Sequence, residues 1–387
     1  MKKNICVIFG GKSTEHDISI LTACQVIKAL NEQKYNIIPI YINQNGLWFS
    51  GNNLKDISFY KNCNYKKLNQ VAIMPQDNYL YKKSFKKFKL YLKIDCAIIC
   101  CHGRNGEDGT IQGLLELAGI PYTSSGVVGS SIGLDKIAMK QMFSSDKIPV
   151  CQFVSVTKKQ FEKSGIKNVI KQINLPVIVK PNTLGSSIGI SVAKTEEELQ
   201  EALELAFIFD NKVLVENLLE DITEVNISVL GEGENCVCSV TEQPTNNNEF
   251  LTFKDKYMSG TKQRYVINSG SKLNGMQNLS RIVPANISSD KIKKIENLAK
   301  KVFTLLNCKG VVRIDFMLDN ATGKLYVNEI NTIPGSFAFY LWENNGLKFD
   351  KLLDKLIDIA IQSKQNQNML TTTFKTSVLN GDGMSNK

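Results

Sequence analysis

The sequence predicts an α/β protein of 387 residues that begins with a doubly wound parallel sheet. Short apolar strands alternate there with a helical segment, which is the pattern of such sheets. The predicted strands span residues 4–9, 37–42 and 95–101, and the predicted helix spans residues 18–31. Two glycine-rich segments, Gly10-Gly11 and His102-Gly103, directly follow two of the strands. Because ligands of parallel sheets bind beyond the carboxyl ends of the strands, these segments are candidate binding loops.

The rest of the chain mixes strands and helices, and its length indicates more than one domain. Thr195 followed by Glu196 predicts the start of a helix, since a capping hydroxyl and an acidic first turn favour that end. Further helices are predicted at 135–143 and 347–362, and further strands at 176–179, 190–192 and 213–216. We expect domains at residues 1–125, 126–215 and 216–363, followed by a flexible polar tail at 364–387.

Composition excludes several classes of protein. With 43% hydrophobic and 22% charged residues, the chain is not wholly disordered. It contains no run of 18 apolar residues, so we expect no membrane-spanning helix and no membrane partner. The apolar stretch 5–9 is too short for a signal peptide, which favours the cytoplasm. The ten cysteines form no Cys-x-x-Cys pattern, so we expect buried thiols rather than a zinc site.

The formal net charge of +10 suits an anionic ligand, a nucleic acid or simple solubility. Segment 81–93 carries six lysines interleaved with Phe85, Phe88 and Tyr91. It is either a nucleic-acid patch or a surface helix or hairpin, and the absence of a nucleic-acid-binding motif favours the surface element. Only four cations are arginines, so Arg313 is expected where a planar charged fork is needed.

A loop at residues 182–189 follows Lys180 and contains glycines together with Ser186 and Ser187. Backbone N–H groups and hydroxyls of such a loop can bind phosphate oxygens, to which the lysine adds charge. The loop lacks the Gly-Lys-Ser/Thr arrangement that opens a helix in the common nucleotide-binding loop. An ordinary hairpin turn explains this pattern equally well.

Residues 311–331 predict a β-hairpin with one apolar and one charged face. If it closes symmetrically about Ala321, Arg313 lies opposite Glu329 at ~5 Å, and Asp315 lies diagonally at ~7–8 Å. Asp315, Glu329 and Asn331 then form a candidate Mg²⁺ site, because carboxylate, amide and phosphate oxygens are the ligands that Mg²⁺ prefers. The alternative is a solvated salt bridge between Arg313 and Glu329.

The turn that follows the hairpin contains Pro334, Gly335 and Ser336. Proline fixes the backbone and glycine permits close approach, so a backbone N–H there could bind a reacting oxygen. A purely structural turn fits the same residues.

Five segments, in this order along the chain, resemble the motifs of the D-alanine–D-alanine ligases, a family of the ATP-grasp superfamily. They are residues 9–19 (FGGKSTEHDIS), 102–113 (HGRNGEDGTIQG), 180–189 (KPNTLGSSIG), 313–315 (RID) and 329–335 (EINTIPG). The resemblance extends over about residues 4–360. It implies an ATP-grasp fold, in which an N-terminal substrate-binding domain precedes two α+β domains that clamp ATP.

The resemblance also implies ATP as a cosubstrate and Mg²⁺ or Mn²⁺, two ions, as the metal. Asp315, Glu329 and Asn331 match the family's metal ligands. The residues that it assigns to the nucleotide are Lys136 and Lys180 for the phosphates, Ser187 and Lys256 in the loops over it, Glu216 at the adenine or hinge, and Glu224 at the ribose.

For the amino acid substrates, the resemblance implies that Glu15 anchors the ammonium group of the first, with His102 nearby. Ser186 and Tyr257 resemble the lid pair that connects with Glu15, and Arg313 with the Gly335 N–H resembles the pair that holds the tetrahedral intermediate. The run 336–342 departs from the family pattern, which leaves Ser336 or the phenol of Tyr340 to bind the carboxylate of the second substrate.

The predicted function is therefore ATP-dependent ligation of two D-alanine molecules through an acyl phosphate, for peptidoglycan precursor synthesis in cell wall formation. The alternative is a ligase of the same fold that joins D-alanine to a different second amino acid, because the run 336–342 is bulkier than usual. A third reading is a non-enzymatic nucleic-acid-binding protein that uses segment 81–93. The expected partners are small molecules and no nucleic acid, with a homodimer left open.

Overall fold

The computed structural model describes residues 2–245 and 281–374. Within these ranges the chain forms three β-sheets, of seven, four and five strands, with helices packed against them. None of the helices in these two ranges is long and apolar enough to cross a membrane.

The first sheet has the strand order β6-β5-β4-β3-β2-β1-β7. Its strands are β1 (Lys3–Gly10), β2 (Tyr35–Ile42), β3 (Trp48–Ser50), β4 (Asn69–Ile73), β5 (Tyr79–Ser84), β6 (Lys87–Lys93) and β7 (Cys96–Ile99). Strands β2, β1 and β7, which match the three predicted strands, are parallel as predicted, and β3 to β6 extend the sheet beyond β2 with antiparallel pairs. The connections between β2 and β6 contain no α-helix, whereas a parallel pair usually needs a helical crossover. The lysine-rich segment 81–93 is the β5–β6 hairpin at the edge of this sheet.

Apolar side chains cover both faces of the parallel strands. Val7 and Phe9 belong to one core with helix α1 (His16–Ala29), while Cys6 and Ile8 belong to another with α2 (Thr110–Leu117). The sheet is therefore doubly wound, and the loops after β1 and β7 meet at one end of it. Helices α3 (Val127–Leu134) and α4 (Lys136–Ser145) then lead out of this part of the chain.

The second sheet has the order β10-β9-β11-β8 and is antiparallel throughout. Its strands are β8 (Phe153–Thr157), β9 (Val177–Pro181), β10 (Ser191–Ala193) and β11 (Lys212–Asn217), and its helices are α5 (Lys158–Ser164), α6 (Lys167–Ile170) and α7 (Glu196–Phe209). The side chain of Thr195 caps α7 as predicted. Strand β11 runs through the predicted domain boundary at 215/216, because its backbone pairs with both β8 and β9.

The third sheet has the order β14-β13-β12-β15-β16. Its strands are β12 (Ile222–Glu232), β13 (Asn235–Pro244), β14 (Arg281–Ile282), β15 (Lys309–Asp319) and β16 (Leu325–Asn331). Helix α8 (Ser289–Leu305) packs on its apolar face with residues such as Val302 and Phe303. The opposite, polar face carries the charged residues of the predicted hairpin.

Two helices at the end of the chain, α9 (Phe339–Glu343) and α10 (Phe349–Asn368), return to the first sheet. Leu352, Leu353 and Trp342 share a core with strand β1 and helix α1. Helix α10 continues to Asn368, past residue 364, where the tail is predicted to begin. The last turns of α10 are polar in sequence, although Ser363 within them is buried.

Candidate active site

A cavity of about 520 Å³ lies where the loops of the first sheet, the β9–β10 loop and the polar face of the third sheet meet. Most of the residues predicted from the sequence line it. These are Glu15, His102, Lys136, Lys180, Ser186, Ser187, Glu216, Glu224, Arg313, Asp315, Glu329, Asn331 and Gly335. The fold thus brings together motifs that are more than 300 residues apart in the sequence.

The β15–β16 hairpin forms as predicted, but its register differs. Asp315 lies directly opposite Glu329 and Arg313 lies opposite Asn331, so the predicted pairing of Arg313 with Glu329 is wrong. The ladder shifts between Asp315 and Phe316, where a β-bulge gives β16 one additional residue, Asn328. A symmetric closure about one turn residue cannot account for such an insertion. The correction places the two carboxylates face to face.

Arg313 forms an ion pair within its own strand. Its Nε and Nη2 donate to the two carboxylate oxygens of Asp315, both at 2.7 Å, which is a two-pronged arrangement that lysine cannot make. The alternative salt bridge between Arg313 and Glu329 is therefore replaced by one between Arg313 and Asp315. Both side chains are mostly buried.

The hairpin carries more negative charge than Arg313 can balance. Burial raises the pKa of Asp315, Arg313 opposes this, and Glu329 raises the pKa further. Burial also raises the pKa of Glu224, as do Asp315 and Glu329. Such a concentration of carboxylates in a partly dry site is stabilised by a bound cation.

The donor set fits a magnesium ion. Asn331 Nδ2 donates to Asp315 Oδ2 at 3.2 Å, and since a carboxylate only accepts hydrogen bonds, the Asn331 carbonyl oxygen remains for another partner. The described ranges contain no group of three or more His, Cys, Asp or Glu side chains that could hold a metal ion. The protein therefore offers two carboxylates and one amide, a set that Mg²⁺ completes with water and phosphate oxygens.

A buried cluster of charges lies beside the hairpin. Glu216 Oε1 is 2.5 Å from Lys140 Nζ, and its Oε2 is 2.8 Å from Lys180 Nζ. Burial alone would raise the pKa of Glu216, but attraction to Lys180 and Lys140 outweighs it and lowers the pKa to about 2. Lys180 Nζ also donates to the side-chain oxygen Oδ1 of the bulged Asn328 at 3.4 Å. The cluster thus holds Lys180 next to the acidic hairpin.

Lys136 is a further cation in contact with the loop between β9 and β10. Its Nζ donates to the Leu184 carbonyl at 2.6 Å. Burial lowers the pKa of Lys136, while Glu329 and Glu15 favour its charged form. Two lysines thus lie near the acidic hairpin in one cavity, an arrangement that suits a bound polyphosphate with its metal.

Glu15 is enclosed by loops from two sheets. It accepts a hydrogen bond from Ser186 Oγ at 2.5 Å, and an added Cβ on Gly103 would lie 2.8 Å from its carboxylate. Glycine suits position 103, because its φ of +69° would be strained for a residue with a Cβ, and an added Cβ would displace the Glu15 carboxylate. Burial raises the pKa of Glu15, as does Glu107, whereas Ser186 and His102 lower it. A half-buried carboxylate between loops is suited to an ammonium group.

Comparison with known proteins decides the family. A family model described as "D-ala D-ala ligase N-terminus" matches residues 4–125, and one described as "D-ala D-ala ligase C-terminus" matches residues 142–358. The chain belongs to the D-alanine–D-alanine ligase family. The predicted family, the ATP-grasp fold and the predicted ligase class are thereby confirmed.

Relatives of this ligase are similar over nearly their whole length. The D-alanine–D-alanine ligase of Thermosipho melanesiensis is 37% identical over 371 residues, which cover 95% of this chain and 96% of that protein. The Bacillus pumilus ligase is 37% identical, covering 97% and 100%. Among solved structures, the Coxiella burnetii D-alanine–D-alanine ligase has a TM-score of 0.79 at 28% identity, covering 95% and 96%. VanG D-Ala:D-Ser ligase from Enterococcus faecalis has 0.78 at 28%, covering 93% and 100%.

Two of the predicted residues that the structure describes, Ser336 and Tyr340, do not line the cavity. Ser336 and Tyr340 are buried beside it, where Ser336 Oγ bonds Gln25 and Tyr340 Oη donates to Glu242. Lys256 and Tyr257, the predicted loop lysine and lid tyrosine, lie outside the described residues. The assignment of Ser336 and Tyr340 to the second substrate remains a prediction.

Polar residues at or beside the cavity that were not predicted from the sequence include Lys140, Glu107 and Asn226. Lys140 lies one helical turn after Lys136 on α4, and this spacing of four could have revealed it. Glu107 falls inside the second motif and lies 4.0 Å from His102. Asn226 lines the cavity opposite Asp315, and no sequence signal marked it because strand pairing alone brings it there.

Proposed function

We propose that this ligase joins two D-alanine molecules with ATP as the energy source, producing D-alanyl-D-alanine, ADP and phosphate. One observation carries the proposal: an acidic hairpin, two lysines and a half-buried carboxylate suited to an ammonium group share one cavity. The names of the relatives support D-alanine as the substrate. A dipeptide of this kind serves peptidoglycan synthesis, the role that the family has.

The first half of the reaction makes a carboxylate reactive. A free carboxylate is a poor electrophile, so its oxygen attacks the γ-phosphorus of ATP, ADP leaves, and an acyl phosphate forms. This phosphoryl transfer needs positioning and charge neutralisation. Lys136 and Lys180 bind the phosphates, Ser187 closes over them, and Glu216 and Glu224 contact the nucleoside. Asp315, Glu329 and Asn331 would hold Mg²⁺ or Mn²⁺, which neutralises phosphate charge when it is bound.

Glu15 binds the ammonium group of the first D-alanine, with His102 beside it. Ser186 and Glu15 connect the β9–β10 loop to the first sheet at 2.5 Å, so the loop covers the bound substrate. Covering the site excludes water, which would otherwise hydrolyse the acyl phosphate. The predicted role of Lys256 and Tyr257 in this cover remains a prediction, because both lie outside the described residues.

The second half of the reaction forms the peptide bond. The amine of the second D-alanine attacks the acyl carbon, the carbonyl oxygen gains negative charge, and phosphate then leaves. Arg313 and the backbone N–H of Gly335, which both line the cavity, stabilise this oxyanion. Asp315 holds the Arg313 guanidinium in place from within the same strand.

A second candidate function differs from the first only in the identity of the second amino acid substrate. A solved neighbour is named a D-Ala:D-Ser ligase, and the bulky run 336–342 follows the oxyanion turn of this chain. These two observations favour, as the second candidate, a ligase that accepts another amino acid in place of the second D-alanine.

A product screen tests the choice of second substrate. We expect the purified protein with ATP, Mg²⁺ and D-alanine to release phosphate and form D-alanyl-D-alanine, detected by mass spectrometry. Each other D-amino acid is added singly in competition with D-alanine. A mixed dipeptide as the main product would establish the second candidate, and the absence of any D-alanine-dependent ADP would refute both.

Ser186→Ala is expected to raise the Michaelis constant for the first D-alanine about tenfold, because the variant loses the bond that closes the loop onto Glu15. Steady-state phosphate release at varied D-alanine measures the change. Ser164→Ala, which removes a hydrogen bond to Gln160 on an exposed helix of the same domain, is the matched control. An unchanged Michaelis constant for the first D-alanine in Ser186→Ala would contradict the role of Ser186 in closing the loop onto Glu15.

We also propose a cytoplasmic location and small-molecule partners only. All ten cysteines are free thiols, and burial raises the pKa of several of them, including Cys100 and Cys101. Buried, unpaired thiols are typical of proteins in reducing compartments.

A further inference from the structure

The turn that carries Gly335 has an unusual backbone. Ser336, Phe337 and Ala338 follow Gly335 with φ of +51°, +56° and +49°, in the left-handed region that residues with a Cβ seldom adopt. Three such residues in succession persist only where the surroundings hold them. Whatever holds this turn also sets the position of the Gly335 N–H.

Two aromatic side chains of α9 fasten the end of this turn to the third sheet. Tyr340 Oη donates to Glu242 Oε1 at 2.7 Å, and Trp342 Nε1 donates to Ser228 Oγ at 3.0 Å. Tyr340, Glu242, Ser228 and Trp342 are all buried. Since buried hydrogen bonds of this kind are costly to lose, they fix α9 relative to the strands.

The strand pairing connects both anchors with the reaction site. Glu242 pairs with Asn226, and Asn226 in turn pairs with Asp315. Ser228 pairs with Arg313. Each aromatic anchor therefore ends on the same cross-strand row as one member of the Arg313–Asp315 ion pair.

Glu242 is itself held on several sides. Asn226 Nδ2 donates to Oε1 at 3.0 Å, and Arg281 Nη1 donates to Oε2 at 3.0 Å. The Arg281 guanidinium also lies 4.0 Å from the centre of the Tyr340 ring. Because Glu242 can only accept, the Asn226 amide nitrogen must face it, which leaves the Asn226 carbonyl oxygen for the cavity. This carboxylate thus orders groups that approach it from two strands, β12 and β14, and from α9.

We propose that Glu242 and Tyr340 are positioning residues, which act as one unit to hold the Gly335 N–H at its working distance from the Arg313 guanidinium. This inference rests on the proposed function, in which those two groups bind the oxyanion. It gives Tyr340 a role without substrate contact, in agreement with its position outside the cavity lining. It also explains the aromatic run after Gly335 as an anchor rather than as a wall of the second subsite.

A double-mutant cycle with Tyr340→Phe, Glu242→Gln and both together tests the proposal. Phenylalanine removes only the hydroxyl, and glutamine keeps the size of the side chain. We expect each single change to lower kcat about fivefold with unchanged Michaelis constants. The double variant should lose about the same fivefold rather than about twenty-fivefold, because both changes break one connection. Tyr79→Phe, at the β5–β6 edge of the first sheet, is the matched control.

Independent losses in the double variant, or unchanged kcat in both single variants, would overturn the positioning role. So would a higher Michaelis constant for the second substrate alone in Tyr340→Phe, which would return this residue to substrate binding. If Glu242→Gln does not fold, Tyr340→Phe alone still separates the two roles. A lower kcat with an unchanged Michaelis constant supports positioning, and a higher Michaelis constant for the second substrate supports substrate binding. Glu329→Gln is measured in the same series, and only an active Glu329→Gln speaks against the proposed catalytic assignment itself.

Discussion

Replacement of Glu329 by glutamine is expected to abolish dipeptide synthesis, with kcat lower by about a thousandfold or more. Glu329 lies directly opposite Asp315, and the two carboxylates with Asn331 form the proposed cation site. Glutamine has nearly the same shape but no charge, so it cannot balance a divalent cation on the nucleotide. The fold should remain intact, because removing one of two facing carboxylates relieves repulsion that raises the pKa of Asp315.

Phosphate release and dipeptide formation measure the loss, and Mn²⁺ titration in the presence of nucleotide measures the cation site separately. The matched control is Glu234→Gln, which changes an exposed carboxylate in the β12–β13 turn of the same sheet. An unchanged melting temperature shows that the fold survives. Near-normal turnover in Glu329→Gln would contradict the metal assignment.

Glu216→Gln is expected to lower the free energy of unfolding by about 3–5 kcal/mol, because it leaves Lys140 and Lys180 buried without their counter-charge. Glu204→Gln, on the exposed side of α7, is the control and should change it by less than about 0.5 kcal/mol. Urea unfolding at pH 7 measures both variants. Equal stability of Glu216→Gln and the wild type would show that the charged cluster does not form.

The pKa of Glu216 also predicts that the difference in unfolding free energy between the wild type and Glu216→Gln depends on pH. In the folded protein the pKa of Glu216 is about 2, below its ordinary value of 4.5. Its stabilising contribution is therefore complete above about pH 4.5 and is lost as the pH falls toward 2. The gap in unfolding free energy between wild type and Glu216→Gln should narrow over that interval. A gap that is constant from pH 7 to pH 3 would contradict the assignment.

Local patterns in the sequence were sufficient for the strands and helices around the site. The alternation of Arg313 and Asp315 with apolar neighbours indicated a hairpin with one charged face, because side chains alternate along any strand. Thr195 before acidic residues indicated the start of α7. The ordered motifs then indicated the family and, with it, the residues that line the cavity.

Residue order along the chain was enough to predict which side chains share a face of each strand and which motifs carry the ligase chemistry, since both are local properties. The pairs of residues that meet across strands and helices could be known only from the folded protein. The bulge at Asn328 placed Asp315 opposite Glu329, and α4 brought Lys140 to Glu216. The packing of α9 joined Tyr340 to Glu242. These contacts depend on register and on packing between distant segments, where one inserted residue or one rotated helix changes every partner, and no local pattern encodes them.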